Sequence, residues 1–512
     1  MKLMRMPHSA AAVLCTLTAA VGLGLIVAPT TASAQKFKAD VPKSITTPDS
    51  VETRIGTLKF HDGLPDAETA KKVYDNLDFA RGVEAFLAGI PATSVQALKN
   101  GFIEAGFPPN GAIGITEQRS DARTLYLTPN ATVVYQWFCM DVAKEPMVVE
   151  IPPAVLGIID DAYFRFVTDM GAFGPDQGKG GKFLLVRDDY KGPLPKTGYY
   201  VARTRTSNNL VIVRSFVQKG DLAGTVASVK AGTRMYPLSA AANPPVQNFV
   251  NISGLKFNTV HANNFKFFEE LNEVVQHERA NFVDPEMVGL FGAIGIKKGK
   301  KFAPDARLKA ILTDAVAVGN ATSRAIVFAS RDPAQKFFAD RQWLTGFLGG
   351  YTFLDSGERK LDGRTLFHYY ATGATPAMAP PATKPGVGSA YAYTARDSRG
   401  EYLDGAKTYK VTLQGPIPAA RFWSFTIYDN QTRSMLETDQ ISAGLDSTFP
   451  AVKKDANGST TVYFSPKAPA GQDGNWVQTM PGKGWNVILR LYGPTETWHN
   501  KTWKPGDIEL VN

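Results

Sequence analysis

Along residues 421–430 the side chains alternate, with Trp423, Phe425 and Ile427 on one side and Ser424, Thr426 and Tyr428 on the other. A period of two in aromatic and β-branched residues marks a half-buried strand. Asp429-Asn430 then supplies turn chemistry, because both side chains bond local backbone and tolerate left-handed conformations. Four further strands are predicted in the last quarter of the chain, at 390–394, 409–413, 460–464 and 485–492. In the last of them Trp485, Val487, Leu489 and Leu491 share one face. Asn486, Ile488, Arg490 and Tyr492 share the other.

From Ala112 onward the same period predicts strands at 125–127, 133–139, 147–151, 163–168, 183–186, 199–204 and 210–216. Short strands parted by turn residues suit a β-sandwich or barrel. Two loops, 176–181 and 191–195, are rich in Gly, Lys and Pro. Helical spacing appears elsewhere. Asp66 reads as an N-cap, and Val73, Leu77, Ala80, Val83, Phe86 and Leu87 predict a helix over 67–87, stopped by Gly89 and Pro91. A second helix is predicted over 92–105. Others follow at 263–278, with an apolar stripe of Phe268, Leu271, Val274 and Val275, at 305–318 closed by Gly319, and at 321–329. Residues 35–62, with Pro42, Pro48 and few apolar anchors, read as extended. Aromatic stretches occupy 343–353 and 366–370, and 376–388 is a Pro/Ala/Gly connector.

The expected fold class is mainly β with a helical insert, α+β overall. The expected division is 1–34, a signal peptide; 35–64, an extended segment; 65–225, a first β-domain with N-terminal helices; 226–375, a helical bridge; and 376–512, a C-terminal β-domain.

Composition adds location. Lys2 and Arg5 precede the mostly apolar stretch 10–28, and Ala32-Ser33-Ala34 fits the small-x-small cleavage rule. Export to the periplasm or exterior is expected, with cleavage near Ala34. Only Cys139 then remains, so no intramolecular disulfide can form and packing alone must hold the fold. Cys139, within an apolar strand, reads as a small buried hydrophobe. No other run is long and apolar enough to span a membrane. The charge is +9 over 512 residues and dispersed, apart from the lysines of 297–301. A nucleic-acid partner wants a basic stripe interleaved with aromatics, and is not expected.

Several motifs stand in a recognisable order. Thr128-Pro129-Asn130 leads into Val134-Tyr135, and a Gly/Asp-rich segment follows over 169–181. Phe422-Trp423-Ser424, Tyr428-Asp429, Asn475-Trp476 and 490–494 (Arg-Leu-Tyr-Gly-Pro) come later. In these the chain resembles exported bacterial proteins that pair domains of unknown function twelve-fifty-four and twelve-fourteen, over roughly residues 65–512. Asn457-Gly458-Ser459 departs from the expected Asp-Gly-Ser, which a turn tolerates. The resemblance implies two β-sandwich domains, the first immunoglobulin-like and the second jelly-roll-like. It implies no activity.

The five histidines beyond His8 are scattered, and no metal is expected. No nucleophile elbow, dinucleotide fingerprint or phosphate loop occurs, so no cofactor is expected. Carboxylates remain. Asp169 and Asp176 fall at a strand end and in a loop, where two acids of unlike environment could cleave a glycosidic bond. Ordinary turn usage of aspartate is the favoured explanation for any single one of them. Aromatic and arginine residues form the second set: Tyr135 and Trp137 on one strand, Arg203 and Arg205 on another, and Tyr428, Trp476, Arg490 and Tyr492 near the C-terminus. Aromatic faces stack on flat ligands and arginine holds carboxylates, although tryptophans also pack cores. Arg490, on an inward face, must be paired, as an ion pair or in a site. The expected function is a cleft between two β-domains that binds a small-molecule or glycan-like ligand, with its hydrolysis by carboxylates left open. The alternative is a non-catalytic binding or envelope-assembly protein. A homo-oligomer is left open.

Overall fold

The computed structural model describes residues 41–217, 220–379 and 384–511. The signal peptide expected at 1–34 lies outside them, as does part of the 376–388 connector. Among the described residues the chain is a mixed α/β arrangement of several sheets and seven α-helices, and no sheet closes into a barrel.

The segment read as extended before residue 62 is instead a small antiparallel meander. It consists of β1 (Ser50–Thr53), β2 (Gly56–His61) and β3 (Leu64–Pro65), in that order. Asp62 and Gly63 both take positive φ, 47° and 80°, between β2 and β3. Asp-Gly is a strong short-range hairpin signal, and it outweighs the scarcity of apolar residues.

The helix break expected at Gly89 and Pro91 does not occur. α1 (Ala67–Glu104) runs for 38 residues with Pro91 inside it. Proline forfeits a backbone bond and costs about 3 kcal/mol in an exposed helix. Here residues 88–98 are all buried, and packing carries the helix through. At Gly89 a Cβ would stand 3.1 Å from Leu271, so the glycine serves close approach rather than termination.

After α1 come β4 (Ile113–Ile115), β5 (Val133–Asp141), β6 (Met147–Ile151), β7 (Leu156–Asp161) and β8 (Phe166–Gly171). β9 (Gly181–Arg187), β10 (Tyr200–Thr204), β11 (Asn208–Phe216), α2 (Leu222–Gly232), β12 (Arg234–Pro237) and β13 (Phe249–Asn251) complete this half. The strands form two sheets, ordered β13-β4-β5-β11-β7-β8 and β10-β9-β6-β12. The strand expected at 125–127 is a single bridge from Leu125 to Asn258. The strand expected at 163–168 starts later, because the Asp161 carboxylate accepts the Tyr163 and Arg165 amides and shapes a turn. The six-stranded sheet is buried on both faces. Val134, Phe138, Val211 and Val213 meet Val149, Phe183 and Leu185 of the second sheet. Tyr135, Trp137, Cys139, Leu210 and Ile212 meet Val95, Leu98 and Phe102 of α1. Cys139 is fully buried, and that burial pushes its thiol up to about 12.

Helices follow: α3 (Lys266–His277), α4 (Pro285–Ala293) and α5 (Ala306–Phe328). α5 fuses the two helices expected on either side of Gly319. A Cβ at Gly319 would lie 2.6 Å from the Phe86 ring, so this glycine too lets helices close on each other. A short ribbon, β14 (Leu354–Asp355) and β15 (Glu358–Arg359), leads into α6 (Leu361–Tyr370), which is buried from Gly363 to its end.

The last part holds β16 (Ser389–Thr394), β17 (Tyr409–Leu413), β18 (Ala419–Asp429), β19 (Gly444–Asp446) and β20 (Thr460–Ser465). β21 (Trp476–Gln478), β22 (Trp485–Pro494), α7 (Glu496–His499) and β23 (Glu509–Leu510) end the chain. Their sheets run β16-β22-β18-β19 and β21-β20-β17-β23. One apolar cluster draws Trp423, Phe425, Ile427, Val487, Leu489 and Leu491 from the first and Val411, Leu413, Val462 and Phe464 from the second. The reverse face of β16-β22-β18 offers Tyr393, Tyr428 and Ile488 to a cluster with α1, α3, α5 and α6.

Candidate functional site

That reverse face is where polar groups gather. Antiparallel pairing sets Arg490 of β22 opposite Tyr391 of β16 and Ser424 of β18. Side chains alternate across the pleat, so Asn486, Ile488, Arg490 and Tyr492 all leave the apolar core. From the other half, β5 and β11 bring Tyr135 opposite Arg214. The Thr128–Asn130 turn, α6 and Phe347 complete a cavity of about 90 Å³, space for several waters. Its walls are apolar at Phe347, Leu366, Phe367 and Ile488, and its polar groups converge from Asn130, Tyr135, Arg214, Tyr391 and Arg490.

Arg490 is 4% exposed. Its Nη2 donates to the Thr128 carbonyl at 3.0 Å and to the Tyr428 hydroxyl at 2.7 Å. Tyr428 in turn donates to the Pro129 carbonyl at 2.7 Å. The other amine, Nη1, is buried without a protein partner. Tyr492 pairs with the Asn130 amide and stacks on Phe422 with centroids 4.0 Å apart. The Tyr135 hydroxyl accepts the Asn130 backbone amide at 3.2 Å.

Among the described residues, neither Arg214 nor Arg490 forms an ion pair with a carboxylate. Burial works against both charges, but nearby tyrosines outweigh it and hold both guanidinia above their ordinary value: Tyr391, Tyr135 and Tyr492 around Arg214, and Tyr428, Tyr492, Tyr391 and Tyr135 around Arg490. Burial pushes the Tyr135 and Tyr492 phenols up. Among the described residues the cavity lining therefore carries two arginines and no carboxylate. Such a site receives an acidic head group on the arginines and an apolar or aromatic body on the rings.

Of the residues singled out by sequence, Tyr135, Tyr428, Arg490 and Tyr492 gather at this cavity or directly against it. Trp137 sits behind Tyr135, stacked on Tyr126 with centroids 4.6 Å apart, inside the α1-facing core. Trp476 lies in the other sheet, its indole donating to the Ser465 carbonyl. Arg203 is exposed on β10, and Arg205 lines a different cavity. Asp176 is buried and binds backbone, accepting the Gly171 and Gly180 amides at 2.8 and 3.0 Å. Both its oxygens are engaged in closing its loop.

Asp169 is different. Burial raises its carboxyl to about 6, against the opposing effects of the Thr375 hydroxyl it accepts at 2.7 Å and of Arg214. Its neighbour Asp160 is fully buried and pushed up further by burial and by repulsion from Asp161 and Asp169. Asp169 opens onto a separate hollow beside Phe173 and Pro376. Among the described residues no three His, Cys, Asp or Glu side chains converge to hold a metal.

Sequence reasoning missed Arg214 and Tyr391. Arg214 carried a signal: Leu210, Ile212 and Phe216 share its face of β11, so an arginine interrupts an otherwise apolar row. Tyr391 carried none, since a tyrosine in a half-buried strand is ordinary.

Family models match two regions of the chain. A protein of unknown function (DUF1254) matches residues 111–237, and a protein of unknown function (DUF1214) matches 388–496. Thr128, Asn130, Tyr135 and Arg214 come from the first region, Tyr391, Tyr428, Arg490 and Tyr492 from the second. No curated protein matches the sequence. Among solved structures, the chain is similar to the VPA0106 protein from Vibrio parahaemolyticus, at 18% identity and a TM-score of 0.53, covering 85% of this chain and 100% of that one. It also aligns with an uncharacterized protein from Burkholderia cenocepacia, at 13% identity and a TM-score of 0.40, covering 86% and 96%. The first likeness concerns the fold alone.

Proposed function

We propose that this protein, which pairs a DUF1254 region with a DUF1214 region, is an exported binder of small organic acids, with its ligand seated in the tyrosine–arginine cavity where the two regions meet. Export rests on the leader pattern of the first 34 residues. The two-sheet grouping of each half supports reading the halves as sandwiches, the second jelly-roll-like. The observation that carries the function is the state of Arg490: almost wholly buried, charged, with one amine unpartnered and no carboxylate beside it. A buried cation is costly unless an anion or full hydrogen bonding compensates it, and a ligand carboxylate would supply both. A cavity of about 90 Å³ favours a small aromatic or branched acid over a glycan.

One observation favours a second reading, turnover as well as binding. Asp169, held at about 6, is poised to exchange a proton near neutrality, and its influence reaches Arg214 on the cavity wall. Hydrolysis of a small ester or related substrate would use it as the acid–base group from the adjoining hollow beside Phe173 and Pro376, with the ester bond reaching into that hollow.

The test is calorimetry with benzoate as the probe and benzyl alcohol as the neutral control. Benzoate should bind saturably and raise the melting temperature by mass action, while the alcohol does neither. Arg214→Met should weaken benzoate by at least about tenfold while the fold is kept. Absence of saturable benzoate binding, or equal binding by the alcohol, would overturn the reading.

A further inference from the structure

α6 has a second functional face. Leu366, Phe367 and Tyr370 line the cavity just described, whereas Arg364 and His368, four residues apart and so on one side of the helix, line another. This second cavity is larger, about 450 Å³. Its apolar walls include Phe164, Phe166, Val283, Met287 and Phe353. Its polar lining is dominated by four arginines, Arg165, Arg205, Arg359 and Arg364.

Among the described residues only one of the four forms an ion pair with a carboxylate. Arg165 binds Asp161 at 2.7 Å and the Phe282 carbonyl. Arg359 donates to the Thr352 carbonyl and enters no ion pair among the described residues. Arg205 is exposed and enters no ion pair among the described residues. Arg364 is 8% exposed, lies 5.6 Å over the Tyr163 ring, and has a buried Nε with no partner. Beside it His368 is 2% exposed, stacked on Phe164 with centroids 4.9 Å apart, and its Nδ1 is also unpartnered. Asp284 is the one carboxylate lining the cavity among the described residues, so with Asp161 two acids face four guanidinia. The crowding is visible in Arg359, whose burial and proximity to Arg364 lower it below the ordinary arginine value.

Unpaired guanidinia set around an aromatic-walled hollow have one obvious complement. We propose that this cavity is a second ligand site, separate from the first, which takes an organic phosphate monoester. The phosphate sits on Arg205, Arg359 and Arg364, with His368 completing its hydrogen bonds, and the organic body packs on the phenylalanines. Arginine forks match phosphate oxygens bidentately, and the dianion neutralises the excess charge. The inference does not depend on the organic-acid reading of the first cavity, because the two sites share only the body of α6.

Calorimetry with phenyl phosphate tests it, with inorganic phosphate as the comparison. Phenyl phosphate should bind saturably, more tightly than inorganic phosphate, and more weakly as salt is raised. Arg364→Gln should abolish binding. Because that side chain is buried, the paired exposed variant Arg205→Ala/Arg359→Ala gives an independent reading, with an expected loss of at least about tenfold. Arg214→Met, which disables the first cavity, should leave phenyl phosphate binding unchanged. The proposal is overturned by absence of saturable binding at low salt, by wild-type affinity in the Arg205/Arg359 variant, or by loss of binding in Arg214→Met. Equal affinity for inorganic and phenyl phosphate would remove the organic body from it.

Discussion

The two faces of β22 differ in kind although they belong to the same ten residues. Trp485, Val487, Leu489 and Leu491 enter an apolar cluster in which shape and volume decide the energy. Asn486, Arg490 and Tyr492 enter a polar network that includes an unpartnered amine and borders a cavity. The first face accounts for stability without chemistry. The second accepts a buried charge and a void, both costly, and such costs mark places where structure serves something other than the fold.

Replacing a residue on the apolar face should act on stability alone. Trp423, 3% exposed in the same cluster, is the strongest case. Trp423→Ala should cost on the order of 3 to 5 kcal/mol by chemical denaturation, with benzoate affinity of the folded protein kept. Loss of binding at unchanged stability would erase the distinction between the faces.

Asp169 tests it from the polar side. Its carboxyl, raised to about 6 chiefly by burial, holds a proton more tightly in the folded than in the unfolded chain. That contribution is fully present below the unfolded value and is lost as pH rises through about 6. Asp169→Asn carries no such loss. The variant should therefore match wild type near pH 4 and exceed it near pH 8 by on the order of 2 to 3 kcal/mol. A stabilised variant that also lost turnover of an ester would mark Asp169 as a group kept for chemistry at a cost in stability.

The smallest effect belongs to Tyr492→Phe. It removes the hydroxyl bonded to Asn130 and keeps the stack on Phe422. A loss of about 1 kcal/mol is expected, together with a weaker hold on benzoate through the displaced Asn130 turn. A loss as large as that of Trp423→Ala would show that the network, not the apolar cluster, anchors this sheet.

Alternation made the strands of the last quarter legible, and it placed Arg490 on an inward face from sequence alone. It failed where burial is two-sided. β7, Leu-Gly-Ile-Ile-Asp-Asp, and α6, buried over eight successive residues, show no period because no face of either meets water. Gly89, Pro91 and Gly319 misled for a related reason: in an exposed helix they would end it, but among packed helices burial carries the chain through Pro91, and at the two glycines a missing Cβ is what lets neighbours approach. The site suffered from a different limit. Arg214 and Arg490 are 276 positions apart, and only the folded chain places them around one cavity.

The total enclosure of α6 has a consequence for assembly. Ser94 of α1 donates to the His368 carbonyl, Tyr369 meets Asn320 of α5, and Tyr370 meets Asn486 of β22. These contacts join segments separated by 274, 49 and 116 positions. A helix ten residues long is marginal alone in water, so it gains its stability only when all three partners are present. It behaves as a keystone, seated once the long loops around it have closed, and slow to seat because that closure must come first. Both cavities have α6 as a wall, so neither is complete until the helix is in place.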